Sequence, residues 1–278
     1  MLAAIDLRLA NVLRCLPNDW QGYVEKAYVR LLTVGVGELH DPTMTVDETG
    51  ATRQLSVIVP VHNAPIETER CLQSLERFGG DAEIILVDDG STDPRASGIV
   101  ADFASRNNWK ARRNGKGSFH SGACMSGARL ATRPILLLLN SDTVVTQHSF
   151  SCCVQALRER PDLMAVGPMT SDGWGTQNAL RARRCRFLWT DAQIFWYAER
   201  LYRRHSTLEP RPIQPFVTGA ALFVRRTDWD RVRGFEGCRA HGGNDVDLCI
   251  KLTAGGGWIG VCDGAYVHHL GGRSASVI

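Results

Sequence analysis

The stretch ILLLLNSDTVV, residues 135–145, places polar side chains inside an otherwise apolar run. Its leucines end at Asn140, and Asp142 follows before the apolar residues resume. A carboxylate beside a buried apolar run lowers stability unless another group pairs with it. We therefore expect Asp142 to have a charged or polar partner.

Two further acidic clusters and a pair of histidines have residue types that bind ligands or move protons. EIILVDDGSTD carries Asp88 and Asp89, GGNDVDLC carries Asp245, and AYVHHLGGRS carries His268 and His269. Each cluster also has a structural interpretation. Asp-Gly-Ser-Thr-Asp suits a turn and a helix cap, an aspartate suits the first turn of a helix, and paired histidines are often core or surface residues.

These groups follow short apolar segments that alternate with helical ones. LSVIVPV, EIILVDD and ILLLLN have the composition of buried strands, whereas ETERCLQSLERF, PRASGIVADFASR and GACMSGARLA have that of helices. Strands that alternate with helices predict a mostly parallel α/β sheet with helices on both faces. Because ligands bind beyond the carboxyl ends of such strands, the polar residues there predict a ligand or metal site that includes Asp142.

The composition narrows the class of protein. The chain has 278 residues, 44% apolar and 22% charged, as in a soluble globular protein of one large domain or two small ones. Its apolar runs are far shorter than about 20 residues, and Asp6 and Arg8 stand where an export signal would be apolar. Nine scattered cysteines without a C-x-x-C pair predict a reduced, cytoplasmic protein, and a net charge of +3 does not favour a nucleic-acid partner.

Three zones of the chain differ in composition. Residues 1–50 have apolar spacing for one helix near the start and a second helix at residues 21–33, which predicts a helical appendage and a linker. Residues 51–278 carry the strand and helix pattern and all the groups described above. Within them, residues 174–215 are rich in arginine and aromatic residues.

Six motifs, taken in order, resemble the inverting family-2 glycosyltransferases of GT-A fold. They are LSVIVPVHNAPIETERCLQSL, EIILVDDGSTD, LLLLNSDTVV, VTGAALFVRRTDWDRVRGFEG, GGNDVDLCIKL and AYVHHLGGRS, which together span about residues 55–275. The resemblance implies a Rossmann-like GT-A domain over residues 51–278. Residues 51–145 would bind the nucleotide sugar, and residues 146–278 would bind the acceptor and carry the catalytic groups.

The resemblance implies that the first strand ends hold a nucleoside diphosphate of UDP or dTDP type. A carboxylate can accept an N–H of a pyrimidine ring, and a flat side chain can stack on that ring. His62 stands where the family usually has Tyr or Phe, so stacking there would be weaker. The nucleotide-binding residues implied are Pro60, His62, Asn63, Asp88, Asp89 and Ser141.

NSDT stands where the family has its D-x-D metal motif, which implies Asp142 as a ligand of Mn2+ or Mg2+. Hard cations with oxygen ligands bridge a diphosphate to the protein. Asn140 replaces the first aspartate, so one negative charge fewer would hold the metal. In the family pattern H-x-G-G-x-S, His269 lies near the diphosphate or on the metal, although whether His268 or His269 meets the ion stays open.

The family places its general base in the motif that GGNDVDLC matches, which implies Asp245. The hydroxyl that attacks the sugar must lose its proton, and a carboxylate within hydrogen-bond reach can take it. Asp247 is the alternative, but two positions along a helix it would face another direction. Asn244 stands where the family more often has Glu or Asp, which would reduce repulsion around Asp245.

The arginine- and aromatic-rich zone would recognise the acceptor. Basic and aromatic residues suit an anionic membrane surface or a lipid-diphosphate acceptor, and aromatic rings stack on sugars. A cytoplasmic protein with peripheral contact to the membrane is therefore expected. The alternative is a solvated helix over the sheet with its aromatics in the core. The acceptor residues expected are Trp174, Gln177, Arg183 and Trp196.

One family segment, N-x-G-F-A-x-A-x-N-x-G, helps to cradle the donor and is poorly matched by GSFHSGACMSG. Gly117 and Met125 stand where the asparagines usually are, and His120 is a candidate substitute. The segment implies that donor contacts here differ from those of the family.

Together these features predict a metal-dependent inverting enzyme that transfers a sugar to a glycan or lipid-linked acceptor in polysaccharide or cell-surface glycan biosynthesis. The alternative is a degenerate sugar-nucleotide-binding or scaffold module, which would explain the departures at residues 117, 125, 140 and 244. Because Asp89, Asp142, Asp245 and His269 are all kept, the enzyme is the preferred prediction. A nucleotidyltransferase would need a glycine-rich basic phosphate loop, which VPVHNAPIETE lacks. Without a Q-x-x-R-W motif, the chain resembles the processive synthases poorly.

Overall fold

The structure is a computed structural model, and it describes most of the chain from residue 48 onwards. The described ranges are 48–115, 117–173, 175–179, 190–205, 209–213, 216–238 and 242–271. The helices expected within residues 1–33 lie outside the described residues, as do Trp174 and Arg183.

The described residues contribute nine strands to one sheet, numbered here in chain order. They are β1 Leu55–Val61, β2 Glu83–Asp88, β3 Lys110–Arg113, β4 Ile135–Leu139, β5 Thr143–Val145, β6 Leu163–Thr170, β7 Arg211–Pro212, β8 Ala221–Arg225 and β9 Trp258–His269.

Helices connect and cover these strands. Those in the described residues are α1 Glu48–Thr52, α2 Pro65–Phe78, α3 Pro94–Asn107, α4 Phe119–Ala128, α5 Ser151–Glu159, α6 Asp191–Arg204, α7 Arg226–Arg231 and α8 Asn244–Thr253. A single 3-10 turn lies at Gly175–Gln177.

The sheet has the strand order β3-β2-β1-β4-β8-β6-β9-β5, and β7 also pairs with β9. Strands β3, β2, β1 and β4 are parallel, with Val57 beside Ile84 on one side and beside Leu137 on the other. Strand β8 is antiparallel to both β4 and β6, and β6 is parallel to β9. The predicted α/β class with a parallel sheet is confirmed, and β8 separates its two parallel parts.

Side chains of the sheet alternate between two apolar cores. In β1, Val57 and Val59 pack into the core that α2, α3 and α5 cover, whereas Ile58 packs into the core that α4 and α8 cover. In β4, Leu137 and Leu138 divide between the two cores in the same way. Because both faces are buried, these strands have continuous apolar runs, as expected for parallel strands between helices.

The helix predicted within GACMSGARLA is present but begins earlier and ends earlier than expected. Helix α4 starts at Phe119, after Ser118, whose backbone N–H donates to Asp89 Oδ2 at 2.8 Å. This contact joins the start of α4 to the end of β2. A contact between distant parts of the chain therefore decides where the helix begins.

Helices of the length and apolarity that a membrane span requires do not occur in the part of the chain that the structure describes.

Candidate active site

The carboxyl ends of β1, β2 and β4 lie along one edge of the sheet, and the end of β9 joins them. Asp89 N donates to Val61 O at 2.8 Å, which places the segment after β2 against the end of β1. Strand β5 pairs antiparallel to β9, so Thr143 lies opposite His269. The NSDT motif and the second histidine of the HH pair therefore meet, although most of the second half of the chain separates them.

Asp142 and His269 form a buried pair at this edge. Asp142 is 1% exposed and His269 is 9% exposed. His269 Nε2 lies 3.2 Å from Asp142 Oδ1, and the two atoms face each other without the alignment of a good hydrogen bond. The expected partner of Asp142 thus includes a histidine nitrogen.

The Ser171 hydroxyl and the backbone carbonyl of Asp172 fix the orientation of His269. The backbone N–H of His269 donates to Ser171 Oγ at 2.8 Å, and the Ser171 hydroxyl donates to His269 O, also at 2.8 Å. Its Nδ1 lies 3.4 Å from Asp172 O, which leaves Nε2 directed at Asp142. Burial by itself lowers the pKa of His269, but the charges of Asp142 and Asp172 and its hydrogen bonds raise that pKa above the ordinary value.

The neighbouring histidine faces elsewhere. His268 is fully buried, and its Nδ1 lies 2.8 Å from the hydroxyl of Tyr266. Of the two histidines, His269 is therefore the one beside Asp142, and its contact with a metal stays a prediction.

The chemistry of the Asp142 and His269 pair fits a divalent cation. Two ligands bound at about 2.1 Å and at a right angle to one octahedral cation lie about 3.0 Å apart, close to the observed separation. A metal-bound histidine usually donates its other ring N–H to a carbonyl, as His269 can to Asp172. Among the described residues, no cluster of three His, Cys, Asp or Glu could hold an ion alone.

Asp245 lies in the first turn of α8, as GGNDVDLC predicts, and backbone groups hold its carboxylate. Gly219 N donates to Oδ2 at 2.9 Å, and Val246 N donates to Oδ1 at 3.0 Å. A Cβ at position 219 would lie 3.4 Å from this carboxylate, so the backbone before β8 approaches it closely. Each oxygen keeps a further lone pair, which can accept a proton or a hydrogen bond from a ligand.

His120 connects the NSDT motif to the start of α8. Its Nε2 lies 3.1 Å from Asn140 Oδ1, and its Nδ1 lies 3.0 Å from Asn244 Nδ2. Asn140 and Asn244 depart from the family pattern, and His120 is a candidate substitute in the donor segment, but the motifs did not predict that the three residues meet. The available signal was that all three stand at motif positions.

The two aspartates after β2 are bound by the protein itself. Asp88 is 2% exposed and interacts with Ser91, Ser97 and Arg113. Burial alone raises the pKa of Asp88, but these hydrogen bonds and the charge of Arg113 lower it overall. Asp89 accepts from Asn114 and from both the N–H and hydroxyl of Ser118. The Asp88 carboxylate therefore joins the end of β2 to α3 and β3, and the Asp89 carboxylate organises the loop from β3 to α4. Their contact with a nucleotide stays a prediction.

His62 and Asn63 join the ends of β1 and β2. Asn63 Oδ1 accepts from Thr92 N and Asp93 N, both at 2.9 Å. His62 Nδ1 donates to Asp89 O at 3.1 Å, which leaves the ring partly exposed at the sheet edge. Of the other predicted nucleotide residues, Pro60 and Ser141 are buried.

Gln177 and Trp196, the described acceptor candidates, occupy different environments. Gln177 is fully buried, and its amide donates to Pro168 O and accepts from Thr218 N, both at 2.9 Å. These contacts support a role in holding the turn at Gly175–Gln177 against Pro168 and Thr218 rather than direct contact with an acceptor. Trp196 is partly exposed on α6, with the Arg200 guanidinium 5.4 Å from its ring centroid.

Helix α6 itself packs over the sheet. Ile194 and Ala198 form a small core with Val144 and Tyr266, and Arg70 of α2 pairs with Asp191. The alternative of a helix over the sheet therefore describes residues 191–204 well, while their outer face stays available.

Three solved structures with similar folds are glycosyltransferases of GT-A fold. GalNAc-T7 with UDP, GalNAc and Mn2+ has a TM-score of 0.60 at 18% identity, over 78% of this chain and 43% of that one. The mannosyltransferase PcManGT from Pyrobaculum calidifontis, in complex with GDP-Man and Mn2+, has a TM-score of 0.56 at 16% identity, over 97% of this chain and 69% of that one. S. aureus TarS 1-349 has a TM-score of 0.54 at 16% identity, over 80% of this chain and 62% of that one.

The fold of this chain is thus the predicted GT-A fold, although the chain spans less than two thirds of GalNAc-T7 and of the TarS fragment. The family model described as Glycosyl transferase family 2 matches residues 56–232, more than half of the chain. The chain belongs to this family, as the six motifs predicted. No curated protein sequence matches it significantly.

Proposed function

We propose that this chain is a metal-dependent inverting glycosyltransferase that moves a sugar from a nucleoside-diphosphate sugar to a hydroxyl of a glycan or lipid-linked acceptor. The observation that carries the proposal is the arrangement around His120. Asn140 of the NSDT motif and Asn244 beside Asp245 both lie within hydrogen-bond distance of this ring. The Asp142 and His269 pair and the carboxylate of Asp245 therefore belong to one site.

Asp142 and His269 would hold Mn2+ or Mg2+ at this edge. The presence of Mn2+ in the structures of GalNAc-T7 and PcManGT supports the choice of a divalent ion. When bound, the metal would offset the negative charge that develops on the leaving diphosphate.

Asp245 would act as the general base. It would take the proton of the acceptor hydroxyl while the new bond from oxygen to the anomeric carbon forms. The bond from that carbon to the diphosphate breaks at the same time, and its electrons leave with the nucleoside diphosphate. A single displacement of this kind inverts the anomeric configuration, whereas retention would need a separate nucleophile. The backbone bonds from Gly219 and Val246 would keep the carboxylate in place.

The donor is proposed to carry a pyrimidine base, as in UDP or dTDP. The proximity of the His62 ring to the end of β2, where its Nδ1 lies 3.1 Å from Asp89 O, supports this proposal. The structures of GalNAc-T7 with UDP and of PcManGT with GDP-Man support a nucleotide-sugar donor but differ in base. A panel of UDP, dTDP and GDP sugars with Mn2+ or Mg2+, read by thermal shift and slow hydrolysis, would identify the donor.

The first prediction separates catalysis from binding at Asp245. Asp245→Asn keeps the size of the side chain, so we expect near-normal donor affinity by calorimetry. Transfer should fall by about 10² to 10⁴, the range for loss of a general base. Asp247→Asn is the matched control, since Asp247 points about 200° away around the helix, and its effect should be much milder.

Full transfer by Asp245→Asn would refute the assignment of the base. An equal loss of donor binding would instead make Asp245 a binding residue. The alternative function, a degenerate sugar-nucleotide-binding or scaffold module, would show donor binding by the wild type without transfer to any acceptor offered.

The second prediction concerns the membrane. From the basic and aromatic residues 181–204, we propose that the protein binds peripherally to the cytoplasmic face of a membrane. Charge reversal at Arg183, Arg184 and Arg203 should weaken binding to anionic liposomes at low salt, because surface charges attract such lipids over about a Debye length. Nucleotide binding should be retained. Reversal at Arg129, Arg133 and Arg158, which are exposed elsewhere, matches the change in net charge. Equal liposome binding by both triple variants would remove the support for membrane contact.

A further inference from the structure

His120 occupies a position between two motifs that the proposed function uses separately. It lies in the first turn of α4, while Asn140 follows β4 and Asn244 begins α8. One ring nitrogen faces each asparagine, at 3.1 Å and 3.0 Å. A single imidazole therefore links the metal motif to the helix of the general base.

The hydrogen bonds around the ring define its protonation state. Asp245 N donates to Asn244 Oδ1 at 3.0 Å, so the amide nitrogen of Asn244 is the atom turned towards His120 Nδ1. An amide nitrogen only donates, hence Nδ1 must accept. Asn140 Oδ1 only accepts, hence Nε2 must carry the proton. The three side chains are complementary only when the imidazole is neutral with its proton on Nε2.

We propose that Asn140, His120 and Asn244 form a neutral hydrogen-bonded bridge, and that His120 is a positioning residue that fixes α8 and its Asp245 relative to the metal motif. The functional part of this inference rests on the proposed glycosyltransferase activity, whereas the bridge itself does not. It also gives a reason for the two amides. A carboxylate at position 244 would face the lone pair of Nδ1 and would require a charged ring.

The surroundings of His120 bear on its charge. Burial has the largest effect and lowers the pKa of His120 below its ordinary value. The hydrogen bond to Asn140 and the charges of Asp245 on α8, Asp142 after β4 and Asp89 after β2 act in the opposite direction and are outweighed. The Cys124 thiol on α4 lies 3.7 Å from Nε2. A neutral bridge is therefore consistent with its setting.

The backbone next to His120 is held in a costly conformation. Phe119 has φ of 62°, in the left-handed region, which is strained for a residue with a Cβ. Strained residues of this kind persist where the surrounding structure fixes them, often at functional sites. Here the strain precedes the ring that makes both contacts, which supports a specific orientation for His120.

The first arm of the test reads the imidazole directly and needs no substrate. The full chain labelled with nitrogen-15 histidine has eight histidines, and the His120 signals are those missing from His120→Phe. We expect the neutral Nε2–H tautomer at about pH 6 to 8. In Asn244→Asp, the ring should become doubly protonated over part of that range because a carboxylate then faces Nδ1. A wild-type ring that samples both tautomers, or one that ignores Asn244→Asp, would overturn the bridge.

The second arm measures transfer. His120→Phe keeps an aromatic ring beside Phe235 but removes both hydrogen bonds. In the wild type, the ring centroids of His120 and Phe235 lie 6.1 Å apart. We expect kcat to fall about 10²-fold, as for misplaced reacting groups, with the donor KM within about threefold of wild type. His148→Phe is the matched control, since His148 is buried and stacked on Tyr202, and its kcat should stay near wild type. Asn244→Asp should acquire an acidic pH optimum.

Equal losses in His120→Phe and His148→Phe, or an unchanged pH profile in Asn244→Asp, would overturn the positioning role. If the wild type transfers no sugar, the proposed function fails, and the nitrogen-15 measurement still decides whether the bridge exists.

Discussion

At the scale of single residues, carboxylates in this protein act through the groups that surround them. Asp142 faces a histidine nitrogen, while Asp89 is bound by an amide, a hydroxyl and a backbone N–H. At the opposite edge of the sheet, Glu83 accepts from Lys110, Ser56 and Thr132. The same functional group, a carboxylate, thus provides a candidate metal ligand, a loop organiser and a clamp between strands.

The clamp at Glu83 gives a prediction about stability and pH. Burial alone raises its pKa, but its hydrogen bonds lower the pKa of Glu83 to about 2. Its stabilising contribution is therefore complete above the unfolded pKa of about 4.3 and is lost as pH falls towards 2. Glu83→Gln should lower the free energy of unfolding at pH 7 by roughly 1–2 kcal/mol after allowance for solvent screening, and the difference from wild type should shrink below pH 4.3.

Urea unfolding of both proteins at pH 7, 5 and 3.5 would measure this difference. Asp81→Asn is the matched control. Asp81 pairs with Arg53, and because their side chains are 52% and 67% exposed, respectively, this ion pair should contribute little at any of these pH values. A difference between wild type and Glu83→Gln that does not change with pH would contradict the prediction.

At the scale of elements, helix α4 carries the site because it packs closely on the sheet. Gly127 lies where α4 meets β1 and β2, and a Cβ there would overlap Ile58 and lie 3.2 Å from Val87. The small residue allows the helix to approach the strands. That approach places His120, near the start of the same helix, beside the strand ends.

The prediction for this packing compares two helical glycines. Gly127→Ala should destabilise the protein by about 1–3 kcal/mol, because overpacking outweighs the better helix propensity of alanine. Gly98→Ala in α3 should stabilise it by about 0.5–1 kcal/mol, because nothing lies within 4 Å of the added methyl group. Chemical unfolding would measure both changes. Stabilisation by Gly127→Ala would mean that α4 does not pack on the sheet in this way.

At the scale of the whole molecule, the two parts of the sheet meet at one edge. Residues 51–145 supply the ends of β1, β2 and β4, while residues 146–278 supply Asp245 and His269. We propose that these are the nucleotide-binding and the acceptor-binding halves of one domain, with residues 1–50 as an appendage. Because the candidate metal pair joins the two halves, ligand binding should stabilise the whole domain.

The corresponding prediction is that UDP or dTDP raises the unfolding temperature only when Mn2+ or Mg2+ is present. A ligand at 100 times its Kd adds about 2.7 kcal/mol to the free energy of unfolding. Asp142→Ala and His269→Ala should remove most of the metal-dependent part, since each removes one proposed metal ligand. Thermal unfolding with nucleotide, with and without EDTA, would measure it. A nucleotide shift that EDTA leaves unchanged would argue against the metal site.

The sequence by itself determined strands β1, β2 and β4 and helices α2, α3 and α4, because continuous apolar runs and helical spacing are local patterns that the folded sheet preserves. The GT-A class followed from the resemblance of the six motifs, taken in order, to the family. The sequence also placed Asp142, Asp245 and the two histidines at the correct ends of their elements. Only the tertiary structure decided that His269 rather than His268 faces Asp142, that Asp88 and Asp89 bind polar groups of the protein itself, and that His120 bridges two asparagines. Such contacts join residues far apart in the chain, and their partners depend on how helices and strands pack rather than on neighbouring residues.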